Sequence, residues 1–340
     1  MKKLPTISII TTILNPSLSV FEKVLKSLKK QDYPKRLIEH IVMDGGSNNG
    51  AVELAKKYNC KVTERKDLRN HEQIRTGLGI KKARNHLVLV LQSDNIVTSK
   101  KWLMEMVEPF LENKKVFCAY SAYNDYKKSD STTTRYGAFF GAADPVLYYL
   151  GKSEKIPLLQ KEYDKGKILL ENKNYWVVEF NRNSLPTLGD NGTMVLRSAI
   201  DKVNIDPKNF VHPDAFALLL DLGYNTCGVI KNSIIHIIPP NMISYAKRRV
   251  YVKNEFYDER RGKRKYLVFN WNSARDKINL IKLLFFSLTF FYPLCESIKG
   301  YLKIRDKAWF LHPFFLFVML LFYSKSEMEW LFEKYFINKK

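Results

Sequence analysis

The first hundred residues alternate unbroken apolar runs with segments of helical period. ISIITTI (7–13) is a β-branched run that stops at Asn15-Pro16, which predicts a buried strand followed by a turn. SVFEKVLKSLKK places Val20, Val24, Leu25 and Leu28 on one face and lysines on the other, with Pro34 just beyond, so it reads as an amphipathic helix. IEHIVMD then gives a second strand into a Gly/Asn-rich turn, AVELAKKYN a short helix, KVTER a third strand and LVLVLQSDN a fourth. Strand and helix in repetition imply α/β architecture, a mostly parallel central sheet flanked by helices. Ligands of such sheets bind at the carboxyl ends of the strands. Here those ends carry residues 11–15, Asp44-Gly45-Gly46-Ser47 and Ser93-Asp94-Asn95.

Beyond about residue 115 the pattern loosens. The stretch 121–186 is rich in Tyr, Ser, Thr, Lys and Asn without clean periodicity, and reads as substrate-facing loops or an insertion. Order returns with PTLGDNGTMVLRSAIDKV (186–203), a Gly-rich turn into a short strand and helix. HPDAFALLLDLGYN follows as a helix with an acidic start and a stop at Gly223, and VIKNSIIHIIPP as strands. From 241 to 275 there are ten Lys/Arg against three Asp/Glu, interleaved with aromatic residues that include Phe256, Tyr257 and Trp271. Two apolar stretches come next, LLFFSLTFFYPLC (283–295) and AWFLHPFFLFVMLLFY (308–323), each shorter than the ~20 residues a spanning helix needs. Their basic connector, ESIKGYLKIRDK, favours a re-entrant or interfacial hairpin over two spans. The expected domains are a catalytic one at 1–236, with halves at 1–115 and 116–236, a basic connector at 237–275 and a membrane-associated helical region at 276–340.

Charge sharpens this picture. Lys+Arg number 56 against 34 Asp+Glu, a formal net charge of +22 in 340 residues, which points to a polyanionic partner. The basic residues concentrate beside the apolar stretches and no nucleic-acid module is recognisable, so an anionic membrane surface is expected and nucleic acid is not. The four cysteines make no ligand spacing, and the apolar part of the N-terminus is too short for a signal peptide. A reducing compartment follows as the expectation, with the protein at the cytoplasmic face of the membrane. No GxGxxG follows the first strand, which disfavours a Rossmann dehydrogenase.

One feature bears directly on chemistry. The aliphatic run LVLVL ends in Gln92-Ser93-Asp94-Asn95, and a carboxylate at the tip of an interior strand either leaves the core there or meets a cation. Mg²⁺ or Mn²⁺ takes hard oxygen ligands and usually only one or two from protein, a role that suits Asp94; the alternative is that Asp94 caps the helix beginning at TSKKWLMEM.

In this order the segments resemble glycosyltransferase family 2, inverting enzymes of GT-A fold. ISIITTILN is similar to the family's opening strand and turn. IVMDGGSNN is similar to its acidic second strand end, with Gly45 in place of the second acid. LQSDN is similar to the D-x-D motif, with Gln92 in place of the first acid. PTLGDNGTMVLR is similar to the acceptor-side turn, and VHPDAF to the acidic pair of the catalytic helix, with Pro213 in place of the first acid. The resemblance covers roughly residues 5–236. It implies a nucleotide-diphosphate sugar donor (UDP- or GDP-linked), a divalent metal held by Asp94 with His236, and Asp214 as the base for the acceptor hydroxyl. It also implies a nucleotide pocket of Thr11, Asn15, Asp44, Ser47, Arg75 and Ser93 and a donor floor of Asn191 and Gly192; Lys247, Arg248 and Arg249 are expected either to reach the diphosphate or to form a solvated or lipid-facing basic surface. Bland alternatives stand beside these roles: Asp44 shaping its own turn, Asp214 offsetting a helix dipole, His236 as a core residue. The acceptor is expected to be lipid-linked or a cell-envelope glycan. A polyprenyl-phosphate acceptor and a non-catalytic GT-A-like binding protein are the competing expectations, and a homo-oligomer is compatible with the sequence.

Overall fold

The computed structural model describes residues 3–254 and 263–337. Phe256 and Tyr257 of the basic segment lie outside the described residues. The chain divides into two units, Met1–Asp125 with Glu162–Ile237 and Tyr126–Lys161 with Ile238–Lys340.

The first unit is built on one sheet. Its strands are β1 (Ile7–Ile13), β2 (Ile38–Asp44), β3 (Lys61–Glu64), β4 (Leu87–Val90), β5 (Asn95–Val97), β6 (Val116–Asn124), β7 (Lys167–Glu171), β8 (Tyr175–Glu179), β9 (Thr193–Leu196) and β10 (Thr226–His236). They run in the order β3-β2-β1-β4-β9-β6-β10-β8-β7, with β5 added to β10. The pairs β1–β2, β2–β3, β1–β4 and β6–β10 are parallel, whereas β9, β8, β7 and β5 join antiparallel. The mixture matches the expected α/β, GT-A-like sheet.

β1 and β4 are buried along their whole length because helices cover both faces, which is why their sequences are apolar without alternation. Helix Leu18–Lys29 buries Phe21, Val24, Leu25 and Leu28; Phe21 takes the place expected of Val20, which is half-buried. Helix Trp102–Glu112 packs Trp102, Leu103, Met106 and Val107 onto Leu87, Leu89 and Leu91. Side chains of this size each contribute about 1.5–3 kcal/mol on burial.

The region expected to be loops is ordered. It supplies β6, β7 and β8 to the sheet, while helices Thr132–Phe140 and Pro145–Tyr149 belong to the second unit. The domain expected at 1–236 therefore does not coincide with one unit, since 126–161 leaves it. Val116–Asn124 escaped pattern reading because a strand covered on both faces shows no period.

The second unit is helical: Thr132–Phe140, Pro145–Tyr149, Met242–Lys253, Ala274–Thr289, Phe291–Lys303 and Leu311–Phe332. Tyr136, Phe139, Phe140, Tyr245, Trp309, Phe315 and Met319 form its core, with Phe139 and Trp309 stacked at 4.4 Å. Buried Asp144 ties three helices together, accepting from Val146 N (3.0 Å), Arg249 Nε (3.2 Å) and Tyr323 Oη (2.6 Å).

The two stretches expected to form a re-entrant or interfacial hairpin, 283–295 and 308–323, fall on separate helices, and the first is broken by a bend. Helix Ala274–Thr289 ends at Phe290, whose φ of 60° is left-handed, and Phe291–Lys303 leaves at a bend of 81°. The second stretch lies within Lys307–Phe336, the one described helix long and apolar enough to cross a membrane, yet His312, Phe315, Leu316 and Met319 on it are fully buried inside the unit.

Candidate active site

β1 pairs with β2 on one side and β4 on the other, so the strand order reverses there, and the carboxyl ends of β1 and β4 are the edge at which such sheets take their ligands. Strand alternation decides which side chains it receives. Thr12 donates to Gln92 Oε1 at 2.9 Å, and its hydroxyl lies 3.4 Å from Glu72 Oε1. Thr11, pointing the other way, is fully buried; it donates to Leu91 O at 2.8 Å and meets His40 Nε2 at 2.9 Å. Thr12, which the sequence reading passed over, is therefore the threonine that meets Gln92, and Thr11 is held within the sheet.

Asp44 ends β2 with no exposed surface. Its carboxylate accepts from Gly46 N (2.7 Å), Ser47 N (2.9 Å) and Ser47 Oγ (2.5 Å), so the carboxylate shapes its own turn. Both oxygens are engaged and no surface is accessible, so the Asp44 carboxylate is committed to the turn it builds. Ser47 Oγ in turn accepts from Asn15 N at 2.8 Å, and Asn15 Oδ1 accepts from Asn48 N at 2.9 Å, which fastens the β1 turn to the β2 turn. Asn15 reaches this geometry at φ 45°, a left-handed conformation that asparagine tolerates.

Arg75 explains Gly45. Its buried guanidinium lies over Gly45, where an added Cβ would come within 1.8 Å of Nη1. Nη1 donates to Leu68 O (3.0 Å) and Arg69 O (2.7 Å), while Nε is buried without a hydrogen-bond partner. Burial pushes the guanidinium pKa down, and the charges of Glu72 and Asp44 oppose that shift. The second acid of the family pattern has no room here because an arginine occupies its place.

The fourth strand end answers the question posed by LVLVLQSDN. After β4 the chain turns and re-enters the sheet as β5, antiparallel to the end of β10, with Asn95 opposite His236. This ladder sets His236 Nε2 3.9 Å from Asp94 Oδ2, with both side chains partly open to solvent. Asn95 Nδ2 donates to Asp94 Oδ1 at 3.0 Å, and Asn95 Oδ1 is buried with no hydrogen-bond partner. Ser93 sits half-buried between Gln92 and Asp94. Among the described residues no group of three or more His, Cys, Asp or Glu side chains could hold a metal ion. The pair nevertheless fits a divalent ion that draws its remaining ligands from a diphosphate and water: one carboxylate and one imidazole side by side at a strand end, next to an orphaned amide oxygen.

The antiparallel neighbour of β4 brings in the acceptor-side turn. Gly192 N donates to Val90 O at 3.0 Å, and Asn191 N to Asp190 Oδ1 at 2.8 Å. Gly189 has φ +125° and leaves room for His212, which an added Cβ would approach within 2.6 Å. His212 begins helix His212–Asp221. Its backbone N (3.2 Å) and Nδ1 (2.8 Å) both reach Gln73 Oε1, which makes Nδ1 the protonated nitrogen and turns Nε2 toward Asp190 Oδ2 at 3.5 Å. Asp214 lies buried in the first turn of the same helix, where the macrodipole favours a carboxylate. The sequence reading missed His212, Asp190 and Gln73; the only local signal was the dipeptide His-Pro opening a helix. Arg248 is exposed on Met242–Lys253 of the second unit.

The fold and these strand ends define an α/β protein whose ligand edge lies at the carboxyl ends of its parallel strands, and comparison with known proteins narrows it. Residues 8–170 match the profile of the family described as Glycosyl transferase family 2. The chain is 30% identical over 122 residues to polypeptide N-acetylgalactosaminyltransferase 8 of Drosophila melanogaster, a match covering 34% of this chain and 20% of the relative, so the chain spans about a fifth of that protein's length. Its fold is similar to that of the mannosyltransferase PcManGT from Pyrobaculum calidifontis, solved with GDP-Man and Mn²⁺, at TM-score 0.55 and 11% identity over 96% of this chain and 88% of the other. Just under half of the chain therefore matches glycosyltransferase family 2, and the fold is GT-A.

Proposed function

We propose that the protein is an inverting, metal-assisted glycosyltransferase that moves a sugar from a nucleotide-diphosphate sugar to a lipid-linked or cell-envelope glycan acceptor at the cytoplasmic face of a membrane. The observation that carries the reading is Asp94 beside His236 at that strand-end edge, in a chain that matches family 2. Asp94 and His236 would hold Mn²⁺ or Mg²⁺, and the Mn²⁺ and GDP-Man bound by the P. calidifontis mannosyltransferase support that assignment. Bound there, the ion would supply positive charge against the departing diphosphate, worth several kcal/mol.

The other roles belong to the chain itself. The joined turns at Asn15, Asp44 and Ser47 form the rigid edge against which a nucleotide lies. The Asp190–Gly192 turn is the floor beneath the donor sugar. Asp214 accepts the proton of the acceptor hydroxyl as that oxygen attacks the anomeric carbon. The net charge of +22 and the apolar C-terminal helices support a membrane setting.

The test is a thermal-shift screen of nucleoside diphosphates and their sugars with and without Mn²⁺. Saturation near one hundred times Kd adds about 2.7 kcal/mol of stability, and Asp94→Asn should abolish the Mn²⁺-dependent part. If no nucleotide stabilises the protein, or if Asp94→Asn behaves as wild type, the reading fails. A polyprenyl-phosphate acceptor is already ionised and needs no base. Asp214→Asn would then leave transfer unchanged, whereas a hydroxyl acceptor predicts a loss of about 10²-fold or more, the usual size for removal of a general base.

A further inference from the structure

We infer that the bent helix pair Ala274–Thr289 and Phe291–Lys303 lies flat on an anionic lipid surface and is the element that carries the membrane contact. The inference rests on the membrane setting proposed above and names the surface that serves it.

The argument begins with exposure. On the first helix Ile278, Ile281, Phe285 and Leu288 recur at helical spacing on one face and are 53%, 66%, 61% and 64% exposed. On the second, Phe291, Leu294, Ile298 and Leu302 do the same, with Phe291 at 74%. The inward faces hold Asp276, Leu283 and Ser287 on one helix and Pro293, Ser297 and Gly300 on the other. Both helices are thus amphipathic in reverse, presenting their apolar stripe outward. Singly exposed apolar residues are ordinary; two continuous stripes meeting at a corner are a binding surface.

Charge selects the partner. Lys277, Lys282, Lys299, Lys303 and Arg305 are exposed around these stripes. The acids of the same segment are all used internally. Asp276 is buried and accepts from Asn270 N at 2.9 Å. Glu296 accepts from the hydroxyls of Tyr148 (2.8 Å) and Tyr149 (2.7 Å), and Asp306 from Ala308 N and Arg135 Nε, both at 2.8 Å. The outer surface therefore combines apolar side chains with uncompensated cations, the composition that fits acyl chains beneath anionic headgroups. The corner is held by the Phe286–Tyr292 stack at 4.4 Å and the Phe290 N to Phe286 O bond at 3.1 Å, so the two stripes keep their mutual angle.

Helix Lys307–Phe336 is the rival element. It too exposes apolar side chains, Phe314, Leu321, Met328 and Phe332 among them, but it buries His312, Phe315, Leu316 and Met319 and carries Glu329 and Glu333 exposed, whereas the acids of the bent pair are turned inward and its lysines outward.

The experiment is vesicle co-sedimentation of the full chain with phosphatidylcholine alone and with phosphatidylcholine mixed with phosphatidylglycerol, at low and high salt. Binding should be stronger on the anionic vesicles and should weaken with salt. Ile281→Asp/Phe285→Asp should lower vesicle affinity by about tenfold or more, and Lys299→Glu/Lys303→Glu should remove the preference for anionic lipid. All four positions are exposed, and an unchanged unfolding midpoint shows that each variant folds. Equal binding by wild type and Ile281→Asp/Phe285→Asp overturns the inference. So does a lipid-free dimer that this variant converts to a monomer, which would assign the face to a second copy of the chain. Vesicle binding requires no donor, so its loss leaves the transferase reading standing, and a failed nucleotide screen leaves this one standing.

Discussion

Gly45 offers the most direct check on how this strand-end edge is built. In Gly45→Ala the new methyl carbon would sit 1.8 Å from Arg75 Nη1 and 2.7 Å from Cζ, well inside contact distance, so the guanidinium must move. Moving it breaks the bonds to Leu68 O and Arg69 O. Hydrogen bonds to a charged donor are worth about 1.5–3 kcal/mol each, and because the displaced atoms are the far end of a flexible side chain, crowding adds little once the guanidinium has moved. The expected loss is about 3–5 kcal/mol, roughly 10 °C in the unfolding midpoint of the first unit. Thermal and urea unfolding measure it directly. The mechanism also predicts non-additivity: with Arg75→Ala in place, adding Gly45→Ala should cost under about 1 kcal/mol more. If Gly45→Ala alone unfolds within about 1 kcal/mol of wild type, or if the two losses add, the arginine does not fill the site of the missing acid.

Two further outcomes follow from buried polar groups. Asp144→Ala removes a buried carboxylate shared by a helix start, Arg249 and Tyr323, and should destabilise the second unit by about 3 kcal/mol, read from urea unfolding; an effect under about 1 kcal/mol would mean the network is dispensable. Burial pushes the His40 imidazole down from 6.5 to about 4, so the folded state keeps it neutral while the unfolded chain takes up a proton near 6.5. Its contribution is fully present above about pH 6.5 and is lost as pH falls toward about 4. Because part of the residue reaches the surface, we expect about 1–2 kcal/mol from this source, and His40→Gln should flatten the corresponding slope of stability between about pH 7 and pH 5.

Much of the site was readable in the chain because its carriers are local. A continuous apolar run ending in Asp94 needs no tertiary information to be recognised as a covered strand with a carboxylate at its tip. The same holds for β1 and β2 and for the acid opening helix His212–Asp221. Where side chains point at the strand ends was not local. Alternation put Thr12 beside Gln92 and turned Thr11 into the sheet, and the turn hydrogen bonds engaged Asp44, a choice that the letters DGGS leave open.

The amino-acid sequence by itself determined which segments become strands and helices, since hydrophobic period and turn residues act over a few positions. Only the tertiary structure decided which distant segments share an edge. Antiparallel pairing of β5 with β10 set His236 against Asp94, parallel register of β6 with β10 set Cys118 opposite Cys227, and Arg75 filled the space that glycine left at 45. The physical reason is that strand pairing and burial are properties of the whole chain. A side chain's period announces its own element, while its neighbour across the sheet follows from the lowest free energy of the complete arrangement.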